Sequence, residues 1–146
     1  MQITIRKLKE SDIAELARIE RESFSRPWSE ESFRELLTLD YARYLVAEAD
    51  GEIAGSAGMR VVYGEGDIDN VVVDRKYRGN GIAKALISEL IALGESEGIK
   101  EFTLEVRVSN AAAIRVYENA GFTSAGVRPR FYEDPVEDAL IMWRRG

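Results

Sequence analysis

The segment with the clearest chemical potential is a short glycine-containing stretch, Arg78-Gly79-Asn80-Gly81-Ile82-Ala83. It follows a run of valines typical of a strand and precedes an apolar pattern typical of a helix. Glycines let the backbone approach a ligand closely, and the first turn of a helix offers free N–H groups at its positive end. Four cations surround the segment although the chain is acidic overall: Arg75, Lys76, Arg78 and Lys84. These features indicate a phosphate or pyrophosphate site, while an ordinary strand-to-helix turn remains an equal alternative.

Two familiar phosphate motifs do not fit this segment. A P-loop requires Gly-Lys followed by Ser or Thr, whereas Lys84 lies between two alanines. A dinucleotide fingerprint requires a small residue where Lys84 stands and belongs near the first strand of a longer repeated unit. Glu105 lies at the distance of a ribose-binding acid, so a nicotinamide oxidoreductase remains as a remote alternative.

The residue types that are absent narrow the chemistry further. The sequence contains no cysteine and no histidine, which excludes disulfides, Ser-His-Asp chemistry and metal centres built on thiolates or imidazoles. A general base must therefore be a carboxylate, a tyrosine, a lysine or a water. Apart from any assigned role, Glu105 is the best single candidate for a functional residue, because it interrupts a predicted central strand, where a charge is costly unless it faces a cleft. The alternative is a solvated strand face that it shares with Thr103 and Arg107.

The elements that position these residues follow from hydrophobic periodicity and from capping residues. Asp12 and Glu15 resemble a capping box for a first helix with Ile13, Leu16, Ala17 and Phe24 on one face. Ser29 begins a second helix with Phe33, Leu36 and Leu37 on one face, and Asp50-Gly51 predicts a hairpin. Asn110 is the predicted N-cap of a short helix that stops at Gly121. The resulting order, β-α-α-β-β-β-α-β-α-β-β, predicts one α/β domain over residues 1–146, with a mixed sheet and one long strand–helix–strand crossover.

Composition and charge restrict the class of protein. Hydrophobic residues form 45% of the chain and charged residues 32%, which excludes a disordered chain. The net charge of −6 argues against direct nucleic-acid binding and favours a basic partner. No leader peptide and no apolar run of about 20 residues is recognised, so we expect a cytoplasmic protein without a membrane partner.

The stretch that runs from Val71-Val72-Val73 through Asp74-Arg75-Lys76-Tyr77 to residues 78–83 resembles the acetyl-CoA signature of the GNAT acetyltransferases, (Arg/Gln)-x-x-Gly-x-(Gly/Ala). The order of elements matches that fold along the whole chain. Further segments resemble the RimI-type ribosomal-protein-alanine N-alpha-acetyltransferases of that superfamily: Phe24-Ser25-Arg26-Pro27-Trp28-Ser29, residues 104–113, Tyr117-Glu118-Asn119-Ala120-Gly121-Phe122, and Arg130-Phe131-Tyr132 with Asp138-Ala139.

The resemblance implies acetyl-CoA as co-substrate and no metal. In such a protein the pantetheine arm pairs with the backbone of Val71, Val72 and Val73. The pyrophosphate meets the N–H groups of Arg78, Gly79, Asn80, Gly81, Ile82 and Ala83. Asn110 matches a residue that contacts the pantetheine, with its role as a helix cap as the alternative.

The resemblance also assigns catalytic roles. Glu105 matches the general base, acting directly or through water, and Tyr117 matches the general acid beside the coenzyme that protonates the departing thiolate. Packing on the sheet is the alternative for Tyr117. Trp28, Phe131 and Tyr132 resemble the walls of a peptide groove, with plain packing as the alternative. Asp69 departs from the family, where an apolar or aromatic residue is expected, and could alter the amine site or supply a second base.

The implied reaction is the direct attack of a neutral amine on the thioester in a ternary complex. The implied acceptor is the N-terminal alanine of a small-subunit ribosomal protein, and the acidic stretch of residues 133–138 could attract its basic chain. Three alternatives remain open: a polyamine acceptor, another protein N-terminus, or an acyl-CoA-binding module that regulates a partner without catalysis.

Overall fold

The computed structural model describes residues 1–145; Gly146, the last residue of the predicted domain, lies outside the described residues. Residues 1–145 form the predicted mixed α/β fold, with its helices and strands in the predicted order. The strands and α-helices are β1 (Ile3–Lys7), α1 (Ile13–Ser23), α2 (Glu30–Leu36), β2 (Ala42–Ala49), β3 (Glu52–Val62), β4 (Glu65–Val73), α3 (Ile82–Ser96), β5 (Glu101–Arg107), α4 (Ala111–Asn119), β6 (Thr123–Tyr132) and β7 (Glu137–Arg145). Short 3-10 turns, Glu10–Asp12 and Arg75–Tyr77, precede α1 and α3.

The strands form a single sheet in the order β1-β2-β3-β4-β5-β7-β6. β4 and β5 run parallel and are joined by α3, which is the predicted crossover, whereas the other neighbouring pairs are antiparallel. The predicted hairpin between β2 and β3 turns at Asp50 and Gly51, whose φ angles are +51° and +87°. A two-residue turn with two positive φ angles matches the right-handed twist of the flanking strands, which is why Asp-Gly favours it.

Helices cover the two faces of the sheet unequally. α3 and α4 lie on one face and enclose the larger apolar core, whose buried members include Met59, Leu86, Leu90, Phe102 and Leu104. On the other face, α1 and α2 form a smaller cluster with β2, built from Ile13, Leu16, Phe33, Leu36, Tyr44 and Val46. These two helices leave Thr103, Glu105 and Trp143 of β5 and β7 only half-buried. This part of the second face is therefore open to a ligand.

The predicted capping box between Asp12 and Glu15 is wrong. The two carboxylate oxygens of Asp12 each accept a hydrogen bond of 2.8 Å from the guanidinium of Arg6, and Oδ2 also accepts one from the Lys9 N–H. Glu15 instead pairs with Arg18 at 2.7 Å. Asp12 is 2% exposed, so a cation from β1 satisfies its charge better than the helix N-terminus alone.

The predicted start of α2 at Ser29 and the predicted N-cap of α4 are confirmed, whereas the predicted apolar faces of α1 and α2 are too wide. The Ser29 hydroxyl accepts a hydrogen bond from the Ser32 N–H at 3.1 Å. In α2, Phe33 and Leu36 are buried, but Leu37 is 43% exposed. Phe24 ends α1 as its C-cap and is 41% exposed, so it leaves the apolar face of that helix. None of the helices within residues 1–145 combines the length and the apolar character needed to span a bilayer.

Candidate active site

A gap opens in the middle of the sheet where β4 and β5 separate. Over the described residues the two strands pair only at Glu65, Gly66 and Asp67 of β4, opposite residues 101–103 of β5. β4 then continues through residues 68–73 and β5 through residues 104–107 without pairing to each other. Because backbone groups of a strand point alternately to its two sides, β4 presents unpaired N–H and C=O groups to this gap. A ligand that lies in the gap can therefore bind to β4 as an additional strand would.

A bulge at Asn70 alters the course of β4 beside the gap. Gly58 pairs with Asp69 and Ser56 with Val72, so β4 carries one residue more than β3 between these pairs. Asn70 has a φ of +52°, and its side-chain amide donates a hydrogen bond of 3.0 Å to the Tyr44 hydroxyl. A bulge twists the strand and changes which backbone groups face a given side. The bulge therefore determines how the backbone of residues 71–73 meets the gap.

The glycine-containing segment lies at the end of β4 and leads into α3. Gly79 and Gly81 have φ angles of +83° and +76°, in the region that favours glycine. A Cβ atom built on either glycine has no other protein atom within 4 Å, so the space in front of the turn is open. The Asn80 side chain turns back and donates to the Tyr77 carbonyl at 2.9 Å. The unpaired N–H groups of the first turn of α3, a helix of 15 residues, can bind an anion from this space.

We expect Gly81→Ala to weaken acetyl-CoA binding by about tenfold or more, because the new methyl group would occupy the space from which a pyrophosphate approaches the helix N-terminus. Gly98→Ala is a matched control, since Gly98 has a φ of +87° and equally open surroundings but follows the far end of α3. Both variants carry similar backbone strain and should lose similar thermal stability. Calorimetric titration of the folded proteins with acetyl-CoA checks this, and equal affinities in the two variants would exclude the segment as the coenzyme site.

α4 carries Asn110 at its start and Tyr117 near its end. Asn110 Oδ1 accepts a hydrogen bond of 3.2 Å from the Ala113 N–H, so the cap function is confirmed while Nδ2 is paired with no described residue. Tyr117 is 7% exposed, and its ring lies 6.0 Å from that of Phe122. Burial raises the pKa of Tyr117 well above its usual range, and the nearby Tyr132 adds to this shift. The hydroxyl group therefore keeps its proton at neutral pH, as a general acid must.

Glu105 lies on the opposite face of the sheet from Tyr117. It is half-buried in an open cleft of about 360 Å³ that Asp67, Thr103, Arg128 and Trp143 also line. Burial raises the pKa of Glu105 above its usual value, the charge of Asp67 raises it further, and Arg128 opposes the shift from 4.0 Å. A carboxylate in a cleft with a raised pKa is a better base than a solvated one. The Glu105 side chain is therefore partly buried and not fully solvated, and its role as a base stays a prediction.

Asp69 lies on the same face and close to Glu105. Burial raises the pKa of Asp69 to about 6. The negative charges of Asp67 and Glu105 raise this pKa further, and the positive charge of Arg60 lowers it. The Arg60 guanidinium lies 3.7 Å from Asp69, and the carboxylate keeps a side-chain exposure of 37%. This face therefore carries three carboxylates, whereas within residues 1–145 only two arginines lie near them: Arg60 beside Asp69 and Arg128 beside Glu105.

Aromatic residues stand on two sides of this face. Trp28, in the connection between α1 and α2, packs 5.4 Å from Phe33 and 6.0 Å from Tyr44. Phe131 and Tyr132, at the end of β6, contact each other edge to face at 5.0 Å, and Phe131 is 46% exposed. Burial raises the pKa of Tyr132 to about 12, with an added effect of the Glu105 charge. The Tyr132 hydroxyl therefore keeps its proton at neutral pH.

The two segments that carry these aromatic residues are joined to each other. Arg26 forms ion pairs of 2.7 Å with both Glu133 and Asp134, and the Ser25 hydroxyl donates to the Asp134 carbonyl at 2.6 Å. The connection between α1 and α2 therefore reaches the turn between β6 and β7. These joined segments carry the three aromatic residues, Trp28, Phe131 and Tyr132, that the resemblance assigns to the walls of a peptide groove.

The acidic stretch of residues 133–138 is satisfied within the chain. Besides the pairs with Arg26, Glu137 accepts hydrogen bonds from Arg107 and from the Ser109 N–H, and Asp138 accepts one from the Arg130 N–H. The carboxylates that the sequence predicts to attract a basic partner at this turn are thus already engaged by cations and N–H groups of the chain itself.

Sequence reasoning missed three polar residues of this region, and each had a signal. Asp67 alternates with Asp69 along β4 and shares its face. Asn70 precedes the valine run and is the polar residue at the bulge. Glu20 occupies the apolar face of α1, four residues after Leu16, and it is completely buried. A charge at such a position is itself an indication of function.

The sequence profile of the Acetyltransferase (GNAT) family matches residues 13–122. The chain belongs to this family and is an acyltransferase with the GNAT fold.

Within the family its sequence is similar to that of ribosomal protein bS18-alanine N-acetyltransferase from Escherichia coli, at 37% identity over 95% of each chain. A Bacillus subtilis protein that carries a provisional form of the same name is 39% identical over 95% of this chain and 93% of its own length. The crystal structure of the ribosomal-protein-S18-alanine N-acetyltransferase from Escherichia coli superposes with a TM-score of 0.89, at 35% identity over 99% of this chain and 94% of that one.

Proposed function

We propose that this protein transfers the acetyl group of acetyl-CoA to the N-terminal amine of a protein, by direct attack in a ternary complex. The observation that carries the proposal is the gap between β4 and β5. The glycine segment and Tyr117 lie at the face covered by α3 and α4, and Glu105 lies at the opposite face. Two substrates that approach from opposite faces can therefore meet in the gap.

The coenzyme is placed by the backbone. Its pyrophosphate would accept hydrogen bonds from the N–H groups of residues 78–83, which the open space in front of Gly79 and Gly81 supports. Its pantetheine arm would pair with β4 at Val71, Val72 and Val73, which lack a strand partner on that side. Asn110 would donate from Nδ2 to the arm while Oδ1 caps α4.

The chemistry then requires three proton transfers. Glu105 accepts one proton from the acceptor ammonium, directly or through water, and the neutral amine attacks the thioester carbon. Backbone N–H groups of β4 at the bulge stabilise the oxyanion. The attached nitrogen then loses its second proton to water as the carbon–sulfur bond breaks and the amide forms. Tyr117 donates its proton to the departing thiolate and is reprotonated from solvent. No acyl-enzyme is involved, because the chain has no cysteine to carry one.

An α-amine acceptor suits this site better than a lysine. The pKa of an α-amine is about 7.7–8.0, so about a third of it is neutral at about pH 7.5, whereas only about 0.1% of a lysine with pKa of about 10.4 is neutral. The relatives named for alanine N-acetylation of ribosomal protein bS18 support an N-terminal alanine as the acceptor. The carboxylates Asp67, Asp69 and Glu105 favour a basic chain behind that alanine, as in a ribosomal protein, and such an acceptor places the reaction in the cytoplasm.

We expect a basic peptide that begins with alanine to be acetylated much faster than its N-terminally blocked copy with internal lysines, or than spermidine. The rate should also fall as salt rises, since exposed charges are screened over about 8 Å at 0.15 M. Thioester consumption and mass spectrometry on the three acceptors at low and high salt test this. Equal rates for spermidine would favour the polyamine alternative, and no turnover with any acceptor despite acetyl-CoA binding would favour the regulatory module.

A further inference from the structure

Glu20 is a buried carboxylate that the proposed reaction does not use. It lies in the last turns of α1 with 0% exposure. One oxygen accepts a hydrogen bond from the backbone N–H of Trp28 at 3.0 Å. The other oxygen, Oε2, has no hydrogen-bond partner among residues 1–145. An ionisable group that is buried with half of its hydrogen-bonding capacity unused is costly to retain.

The surroundings of Glu20 connect it to the bulge in β4. The Asn70 amide lies close enough to favour the charged form of Glu20, without a hydrogen bond of normal geometry between them. The same amide donates to the Tyr44 hydroxyl, which is 3.0 Å from the Ser56 hydroxyl. Glu20 therefore contacts the main chain of Trp28 on one side and the bulge residue on the other.

The protonation of Glu20 is poised near neutrality. Burial raises the pKa of Glu20 to about 7, and the Trp28 N–H and the Asn70 amide oppose the shift. The titratable group beside Glu20 is Tyr44 from β2, whose pKa lies far above this range. Tyr44 is also influenced by the charge of Asp69 from β4, whose pKa is about 6. On α1 itself, Arg18 is engaged by Glu15, Glu22 and Asp74. The folded state holds the proton of Glu20 more tightly than the unfolded state does. The free energy of unfolding therefore decreases as the pH rises from about 4.5, where Glu20 ionises in the unfolded chain, to about 7, where it ionises in the folded protein.

We propose that Glu20 is a positioning residue that connects the acceptor groove to the bulge in β4. It fixes the position of Trp28, a wall of the groove, relative to Asn70. Asn70 in turn determines the course of the backbone that faces the thioester. The placement of Trp28 and β4 in catalysis rests on the proposed function. A carboxylate suits this role because either oxygen can attract an N–H group: the Trp28 N–H donates a hydrogen bond to one oxygen, and the Asn70 amide is attracted to the charge, whereas an amide side chain has only one acceptor oxygen. Glu20→Gln has the same shape and must give up either the contact with Trp28 or that with Asn70.

The first test does not depend on catalysis. Trp28 and Trp143 are the two tryptophans of the chain, so Trp143→Phe leaves Trp28 as the only indole reporter. In this background we expect the Trp28 fluorescence to change between pH 5.5 and 8.5 with a midpoint near 7. Adding Glu20→Gln should abolish the change, whereas adding Asp69→Asn should leave it in place. A change that persists without the Glu20 carboxylate, or the lack of any change with it, would overturn the inference even if the protein acetylates N-termini.

The second test separates positioning from packing. We expect Glu20→Gln to raise the KM for an acceptor peptide by about tenfold, because a charge-assisted hydrogen bond becomes a neutral one or is lost. The KM for acetyl-CoA should change less than about twofold. The melting temperature at pH 8 should rise, because the cost of ionising Glu20 is removed. Glu22→Gln, on the same helix but exposed, is the control and should change neither value.

If Glu20 had only a structural role, a rise in the acceptor KM of Glu20→Gln would be accompanied by a loss of stability. A stabilised Glu20→Gln protein with unchanged acceptor KM would overturn the proposal. If no acceptor is found at all, the proposed function fails while the fluorescence test still decides the link between Glu20 and Trp28.

Discussion

Tyr117→Phe should lower the turnover of acetyl transfer by about 10² to 10⁴-fold while acetyl-CoA still binds. The substitution removes only the hydroxyl group, and the ring that packs 6.0 Å from Phe122 remains. Without the hydroxyl proton the thiolate must leave unprotonated or take a proton from water. Because burial raises the pKa of Tyr117 well above its usual range, the wild-type rate should show no loss below about pH 10 from ionisation of this group.

The measurements are steady-state turnover with an alanine-starting peptide and calorimetric affinity for acetyl-CoA. Tyr41→Phe is the control, since it removes the hydroxyl of an exposed tyrosine before β2 and should leave both values unchanged. If Tyr117→Phe kept the wild-type turnover, Tyr117 would have only a packing role on the sheet. A parallel loss of acetyl-CoA affinity would show that the hydroxyl binds the coenzyme rather than acting as the acid.

Glu105→Gln should also lower turnover by about 10² to 10⁴-fold, but with a loss that depends on pH. Glu105 works as a base only when ionised, and its raised pKa shifts the acidic limb of the wild-type profile upward from the usual carboxylate range. In the variant the amine must lose its proton to solvent, so the rate should keep rising until the α-amine pKa of about 7.7–8.0 is passed. The ratio of wild-type to variant rates should therefore be largest near pH 6.5 and shrink toward pH 9.

Glu101→Gln is the matched control for this experiment. Glu101 lies on the same strand and face as Glu105 and pairs with Arg145 at 3.8 Å, away from the gap. It should keep the wild-type profile. A loss in Glu105→Gln that is the same at every pH would mean that the carboxylate orients the acceptor without taking its proton, and an unchanged rate would remove Glu105 from the site.

Local patterns were enough to predict most of the fold. Asp50-Gly51 predicts its hairpin because few residues tolerate two successive positive φ angles, and Ser29 and Asn110 predict their helix starts because each side chain can accept an N–H of the next turn. These signals depend on neighbours within a few residues. The capping box predicted at the start of α1 was wrong because Arg6, which binds the Asp12 carboxylate, comes from a strand and not from the helix, although the helix does begin directly after Asp12.

The functional site likewise has features that the sequence predicts and features that depend on the tertiary structure. The glycine segment was recognisable from sequence, since close approach to an anion needs glycine and a following helix, and the resemblance to GNAT acetyltransferases added Glu105 and Tyr117. Only the tertiary structure decided that β4 and β5 separate after Asp67, that β4 bulges at Asn70, and that the predicted acid and base lie on opposite faces of the gap.

Charge and burial were also decided by the tertiary structure. From the sequence, the acidic residues 133–138 are predicted to attract a basic chain. In the fold, Arg26 and Arg107 engage carboxylates of that stretch, while Asp67 and Glu105 line a partly buried cleft and Asp69 lies near them. Burial raises the pKa of a carboxylate because it removes water from the charged form, and water is removed only when distant segments pack together. For this reason the sequence alone identified the types of chemical groups, and the fold determined which of them stay charged, which keep a proton and which can meet a substrate.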